Sequence, residues 1–382
     1  MRPPAPPSAR HDRARAAACA AAGLALVLTA CVPGRGGAVP GVDRPGAGEP
    51  ERARRLSVAI RHGLTPPDLA RTASAALGVE LRLRGHDRGA DVAARIARAA
   101  AATATAGDAG ADGVDVAVVP GHHAQALGRA GLLEPLRPEL IPNLANLHPE
   151  AARLPHDRGN RFSVPYAWGT TGICYRADLV RRPPTSWTDL LDPPRWARGR
   201  VTMMTGDRAL ALPALKALGY SINTADEAGL AAAARRLLAA KRTLLAYDDL
   251  TAGERLLRGE AVLAQTRDGA CPTGEPRIRF AVPREGGDLW TETMVIPRGS
   301  RDPEAAHAFI DHVLTPEVHA RVPLHTGYKV PNRPAMERAL ARGADRPQLR
   351  MSPADLLRHE PLVDLGEDAA KYARLAVRVA EG

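Results

Sequence analysis

No catalytic signature stands in this chain. G-x-S-x-G, H-E-x-x-H, a Walker loop and a G-x-G-x-x-G after a strand are all missing, which argues against nucleophile-elbow hydrolases, zinc peptidases, P-loop NTPases and dinucleotide enzymes. Lysine is scarce too: Lys216, Lys241, Lys329 and Lys371 are the whole complement, and arginine supplies the remaining basic residues. The net charge of +10 is spread along the sequence with no stripe of basic residues interleaved with aromatics, so no nucleic-acid partner is expected. There is no internal repeat. The longest apolar run, from Ala16 to Ala30, is too short to span a bilayer comfortably as a permanent helix.

That run has the chemistry of an export signal instead. Arg2, Arg10, Arg13 and Arg15 form a basic start, an Ala/Leu-rich stretch follows, and small residues precede a cysteine. Leu28-Thr29-Ala30-Cys31 resembles the lipobox of bacterial lipoproteins, in which the cysteine thiol is acylated and becomes the first mature residue. Residues 1–30 then form a signal peptide and Cys31 is the lipidation site. The protein is expected outside the cytoplasmic membrane, held to its outer face by lipid. The mature chain keeps 48 basic and 41 acidic residues, net +7, a balance suited to anionic headgroups. Residues 31–54, rich in Gly and Pro without apolar periodicity, read as a flexible tether. Cys19 leaves with the signal, so Cys174 and Cys271 remain. Two such thiols can pair in an oxidising compartment or stay buried and free; the residues alone leave both open.

Length suggests two domains or one large one. Short apolar runs at Leu56–Ile60, Val114–Val119, Val201–Met204, Phe280–Val282 and Met294–Ile296 read as strands. Helical segments alternate with them at Asp226–Lys241, Glu304–Leu314 and Glu367–Ala380, which indicates an α/β chain with parallel sheets. Thr65-Pro66-Pro67-Asp68 reads as a helix start, and Thr251 to Glu254 as a capping box. The run 161–176 should break at Pro165 and Gly169, and Pro213 should delay or kink the helix after Asp207. His62 and the His122–His123 pair follow strands, but adjacent histidines on a loop do not easily face one ion and no Cys or carboxylate cluster is near. His307, His312 and His319 read as a solvated helical face. No metal and no cofactor are expected.

Several ordered segments resemble the spermidine/putrescine-binding proteins, solute receptors of bacterial ABC importers. They are Phe162–Ile173 (FSVPYAWGTTGI), Thr185–Leu190, Leu218–Ser221, Asn223-Thr224, Arg284–Gly287, Thr326–Tyr328 and Val330–Asn332. The resemblance runs over about residues 56–380 and implies a type II two-lobe fold with the ligand cleft between lobes. Lobe 1 would comprise residues 55–168 and 292–332, and lobe 2 residues 169–291 and 333–382. Crossings would fall near Trp168–Gly172, Trp290–Val295 and Asn332. It further implies a monomer that closes its hinge on one small solute and docks on a permease with its ATPase. Cys174 and Cys271 would then share a lobe near the cleft, where they could bridge.

The implied pocket is only partly kept. Trp290 and Tyr328 match two of the family's aromatic contacts, and Glu292 stands where the family has aspartate. Elsewhere Arg61 and Arg267 replace tryptophans, Leu64 a tyrosine, Gly121 and His123 a serine and a tyrosine, and Asp249 a serine. Gly206, beside Asp207, and Ala209 replace an acidic pair. A polyamine could use Glu292, Asp249, Asp207, Trp290 and Tyr328. A short zwitterion, an amino acid or ω-amino acid, could place its amine at Trp290 and Glu292 and its carboxylate on Arg61 or Arg267. Either arginine could instead lie on the surface over apolar area. A non-transport scaffolding lipoprotein of the same fold is a further alternative. An enzyme is not expected, since no catalytic set is present.

Overall fold

The computed structural model describes residues 54–86, 88–106, 113–344 and 346–382; the signal peptide, Cys31 and the tether up to residue 53 lie outside the described residues. Strand β1 (Arg55–Arg61) is followed by α1 (Leu69–Leu77), β2 (Glu80–His86), α2 (Gly89–Ala106), β3 (Val116–Pro120) and α3 (Gly121–Arg129). After three short 3-10 turns come β4 (Ser163–Gly169), β5 (Thr171–Arg176), α4 (Thr188–Leu191), β6 (Val201–Met203), α5 (Asp207–Ala217), α6 (Glu227–Lys241), β7 (Ala246–Tyr247), α7 (Ala252–Arg258) and β8 (Leu263–Arg267). The chain ends with β9 (Ile278–Ala281), β10 (Asp288–Val295), α8 (Pro303–Val313), α9 (Pro316–His319), α10 (Arg321–Thr326), α11 (Arg333–Ala341), α12 (Pro353–Leu356), β11 (Glu360–Pro361) and α13 (Ala369–Glu381).

These strands form two sheets. One runs β11-β10-β3-β1-β2 with β4 also paired to β10, and the other runs β7-β6-β8-β5-β9. Both are mixed. β1 is parallel to β2 and β3, whereas β10 is antiparallel to β3 and β4. In the second sheet β6 is parallel to β7 and β8, and β5 is antiparallel to β8 and β9. The antiparallel strands are those next to the crossings: β4 runs into β5 through Thr170, and β9 into β10 through residues 282–287. Each sheet has its own core. Leu56, Val58, Val118, Met294 and Phe309 pack in the first, and Met203, Leu215, Leu237 and Tyr372 in the second.

α13 shows how pattern decides docking. Tyr372, Leu375 and Val379 bury one face at helical spacing against α5 and α6, so the C-terminus belongs to the second sheet's half. The segment after Asn332 does not: Ala335, Ala339, Ala344 and Leu349 pack in the first core. The chain therefore leaves the first half beyond Leu349 rather than near Asn332, because α11 still has an apolar face to bury there.

Other local expectations are corrected by tertiary partners. Pro165 does not break β4; it stands at the register shift opposite Glu292 and Thr293 of β10, where a missing ladder donor is tolerated. Pro213 lies inside α5 and leaves the carbonyl of Ala209 without its helical donor. Gln265 Nε2 donates to that carbonyl at 2.6 Å, and Gln265 Oε1 accepts from Met204 N at 3.2 Å. An unmet buried carbonyl costs about 1–3 kcal/mol, so Gln265 permits the proline. Helix α1 begins after the two prolines, and Asp68 pairs with Arg321 instead of capping it. The Thr251 hydroxyl bonds Asp248 at 2.6 Å and Glu254 pairs with Arg258, so no capping box forms. His307 and His319 are buried, not solvated: Arg137 N donates to His307 Nε2 at 3.1 Å, and His319 Nε2 meets Tyr166 O at 2.8 Å.

Cys174 on β5 and Cys271 just beyond β8 form a disulfide with Cα atoms 5.6 Å apart, both fully buried. The 97-residue separation makes the bond worth on the order of 4 kcal/mol in the chain-entropy account. It also fixes the turn Asp268–Ala270 against β5.

Candidate functional site

Where β4, β8 and β10 approach one another, the chain concentrates aromatic and charged side chains. β10 presents Trp290 and Glu292 two residues apart, hence on one face. Arg61 closes β1, Arg267 closes β8, and Tyr328 follows the left-handed turn at Gly327 (φ 76°) that ends α10. The Trp290 and Tyr328 rings lie edge to face, centroids 5.2 Å apart at 86°. Two glycines make this possible: a Cβ on Gly169 would run into the Trp290 ring, and one on Gly269 into the Tyr328 ring.

Glu292 is 2% exposed and is flanked by both arginines. Its Oε1 lies 3.5 Å from Arg61 Nε and 3.6 Å from Arg267 Nη1. Each guanidinium also covers a ring: Arg267 lies 5.4 Å from the Trp290 centroid and Arg61 5.9 Å from that of Tyr328. Burial works against the Arg61 charge, but Glu292 and Tyr328 outweigh it and hold its pKa above the ordinary value. Several buried polar atoms here make no hydrogen bond: Arg61 Nε and Nη2, Trp290 Nε1 and Glu292 Oε2. Asp288, at the start of β10, has its carboxyl pKa raised by burial although Thr171 N donates to it at 2.8 Å and Arg267 opposes the shift.

A cavity of about 40 Å³ lies at this point, lined by Gly121, His122, His156, Arg267, Trp290 and Glu292 among others. It is far smaller than the roughly 300 Å³ of ordinary ligand pockets, and the Arg267 guanidinium on its wall stands over the Trp290 face. Gly121 is required bare, since a Cβ would meet the His156 ring. Burial drives the pKa of His156 down to about 4, with Asp157 opposing. His122 is held well below the ordinary imidazole range by burial, then by His123, Arg208 and Arg267. His123 is also lowered by burial, with Glu292 opposing.

The structure thus gathers Arg61, Gly121, Arg267, Trp290, Glu292 and Tyr328, with His123 within electrostatic reach of Glu292. It leaves two expected residues out. Asp207 is exposed in the first turn of α5, and Asp249 is exposed and spends its carboxylate on Thr205. Both lie in the second half, just beyond the ends of β6 and β7. His122, which the sequence offers only as half of a weighed metal pair, and His156 line the cavity as well. His122 sits beside a residue already singled out; His156 carries no motif and is brought in by a 3-10 segment. Among the described residues no group of three His, Cys, Asp or Glu converges to hold a metal, and no helix is long and apolar enough to cross a membrane.

Comparison with known proteins decides the family. Residues 78–349 match the bacterial extracellular solute-binding protein family. The chain belongs to that family. It is 30% identical over 292 residues to the putrescine/agmatine-binding protein of Pseudomonas aeruginosa, covering 71% of this chain and 78% of that one. It is likewise 30% identical over 227 residues to the spermidine/putrescine-binding periplasmic protein of Escherichia coli, covering 58% and 64%. The crystal structure of the TpPotD lipoprotein of Treponema pallidum superposes with a TM-score of 0.74 at 25% identity, over 85% of this chain and 99% of that one. The family accounts for the two mixed sheets.

Proposed function

We propose that this solute-binding protein is the receptor of an ABC importer, takes an amine-bearing solute between its two halves, and presents it to a permease. The observation that carries the reading is Glu292, set between Trp290 and Tyr328 at the strand crossings: a buried carboxylate with one oxygen unpaired, the chemistry that holds an ammonium group. The relatives named for putrescine, agmatine and spermidine bring amines to the same fold. A solute touching both halves shifts the balance toward the form that grips it, and the permease reads that form. Lipidation at Cys31 would hold the receptor near its permease.

Two experiments test this reading. Glu292→Gln keeps the shape and removes the charge, so affinity for the amine solute should fall at least about tenfold, given that losing a buried charged partner costs about 2–5 kcal/mol. Calorimetric titration checks it, and unchanged affinity removes Glu292 from the site. Cys31→Ala should abolish membrane attachment; a processed variant that still fractionates with membranes would refute the lipid anchor.

A further inference from the structure

The substrate class can be narrowed from atoms the site leaves unmet, an inference that rests on the amine-receptor reading above. In a pocket built for a molecule with only cationic ends, the unmet groups would be acceptors and aromatic faces. Here the faces are taken: Arg267 stands over Trp290 and Arg61 over Tyr328. Glu292 Oε1 is shared by both guanidiniums. Two cations face one carboxylate, so the protein itself supplies the pair of positive charges that a diamine would bring. What remains without a hydrogen bond is three donors and one acceptor: Arg61 Nε and Nη2, Trp290 Nε1, and Glu292 Oε2. Trp290 and Glu292 are almost fully buried, so water is not freely available to them, and unmet buried polar groups are costly.

We propose that the solute is a short amino carboxylate, whose carboxylate takes the fork of Arg61 with the Trp290 N–H and whose amine takes the free oxygen of Glu292. A carboxylate uses the planar guanidinium donors in the geometry that suits them. An amine on Oε2 leaves Oε1 to Arg267 Nη1, 3.6 Å away, and frees Arg61 Nε to turn to the carboxylate, so each of these four atoms finds a complementary partner. A free polyamine satisfies none of the three donors and adds cations beside two fixed guanidiniums. Arg61 and Arg267 are therefore specificity residues that select against the all-cationic ligand.

The test is a titration of the full chain, purified in detergent, with diamines, amino carboxylates and dicarboxylates of about three to six carbons. At matched length the amino carboxylate should bind at least about tenfold tighter than the diamine, a difference of about 1.4 kcal/mol. Arg61→Gln should weaken the amino carboxylate by a similar factor while leaving the diamine unchanged or improved. Arg61→Lys, which keeps the charge but loses the fork, should fall between, and the unfolding midpoints of both variants show that they fold. A diamine that binds as tightly as the amino carboxylate and ignores both variants overturns the proposal but leaves the amine receptor standing. Binding of dicarboxylates alone, or of none of the three series, overturns both.

Discussion

Arg267 and Asp268 are neighbours on the chain, as are Tyr328 and Lys329, yet the alternation of the backbone sends them to different places. Asp268 and Lys329 meet at 2.7 Å in the seam between the halves, both nearly fully buried. Lys329 Nζ also donates to Gln348 O at 3.0 Å, Asp268 Oδ1 accepts from Gly269 N at 2.9 Å, and Gln348 Nε2 donates to the carbonyls of Asp268 and Cys271 at 3.2 and 3.3 Å. One residue back along the chain in each case, Arg267 and Tyr328 face Glu292 and Trp290 across longer contacts with orphaned atoms. Both clusters are buried, charged and drawn from both halves. The satisfied one is architecture, and the unsatisfied one is where we propose that the solute binds, since unpaired buried polar atoms are costly.

Breaking the seam should have the largest effect. Lys329→Met leaves Asp268 charged and unpaired in a buried setting, which costs about 3–5 kcal/mol. Urea unfolding should show that loss, and a change under about 1 kcal/mol would mean that the seam pair is not structural. The pair also ties the turn Asp268–Ala270, pinned to β5 by the disulfide, to the chain after α10.

Much of this arrangement was legible in the sequence, and the exceptions share a cause. Strands β1 and β3 are short apolar runs buried on both faces, so composition sufficed. Trp290, Glu292 and Tyr328 stood in family motifs, and the structure places them together. What could not be read depends on distant partners. His307 and His319 read as solvated because helical spacing does not reveal the Arg137 amide and the Tyr166 carbonyl that their ring nitrogens meet. Asn332 looked like a crossing, but its side chain accepts from Ala335 N as the cap of α11, and that helix stays in the first core.

Acid should separate the regions by a smaller amount. His156, which lines the site, and His319, deep in the first half, both have pKa values pushed down to about 4 by burial. The folded protein holds them neutral while the unfolded chain takes up protons below about 6.5. Their contribution is intact above that value and lost as pH falls from about 6.5 toward 4, by about 1.4 kcal/mol per pH unit for each. Urea midpoints across that window should fall less steeply for His156→Gln than for the parent chain, by one histidine's share. Equal slopes would show that His156 is protonated in the fold.

The smallest effect sharpens the comparison most. Arg267→Gln removes a cation from the site as Lys329→Met removes one from the seam, and the consequences should differ. The Arg267 side chain is 27% exposed, its contact with Glu292 is 3.6 Å, and its other partner is the face of Trp290. Ion pairs of that exposure contribute about 0–1 kcal/mol. Glu292 also keeps Arg61, so no buried charge is stranded. Two guanidiniums on one carboxylate repel each other, which offsets part of what Arg267 contributes by attraction. Stability should therefore stay within about 1 kcal/mol of the parent by urea unfolding, while the ligand preference shifts. A loss as large as that of Lys329→Met would make Arg267 a structural residue. The unmet donors would then have to be explained as strain rather than as a place for a solute.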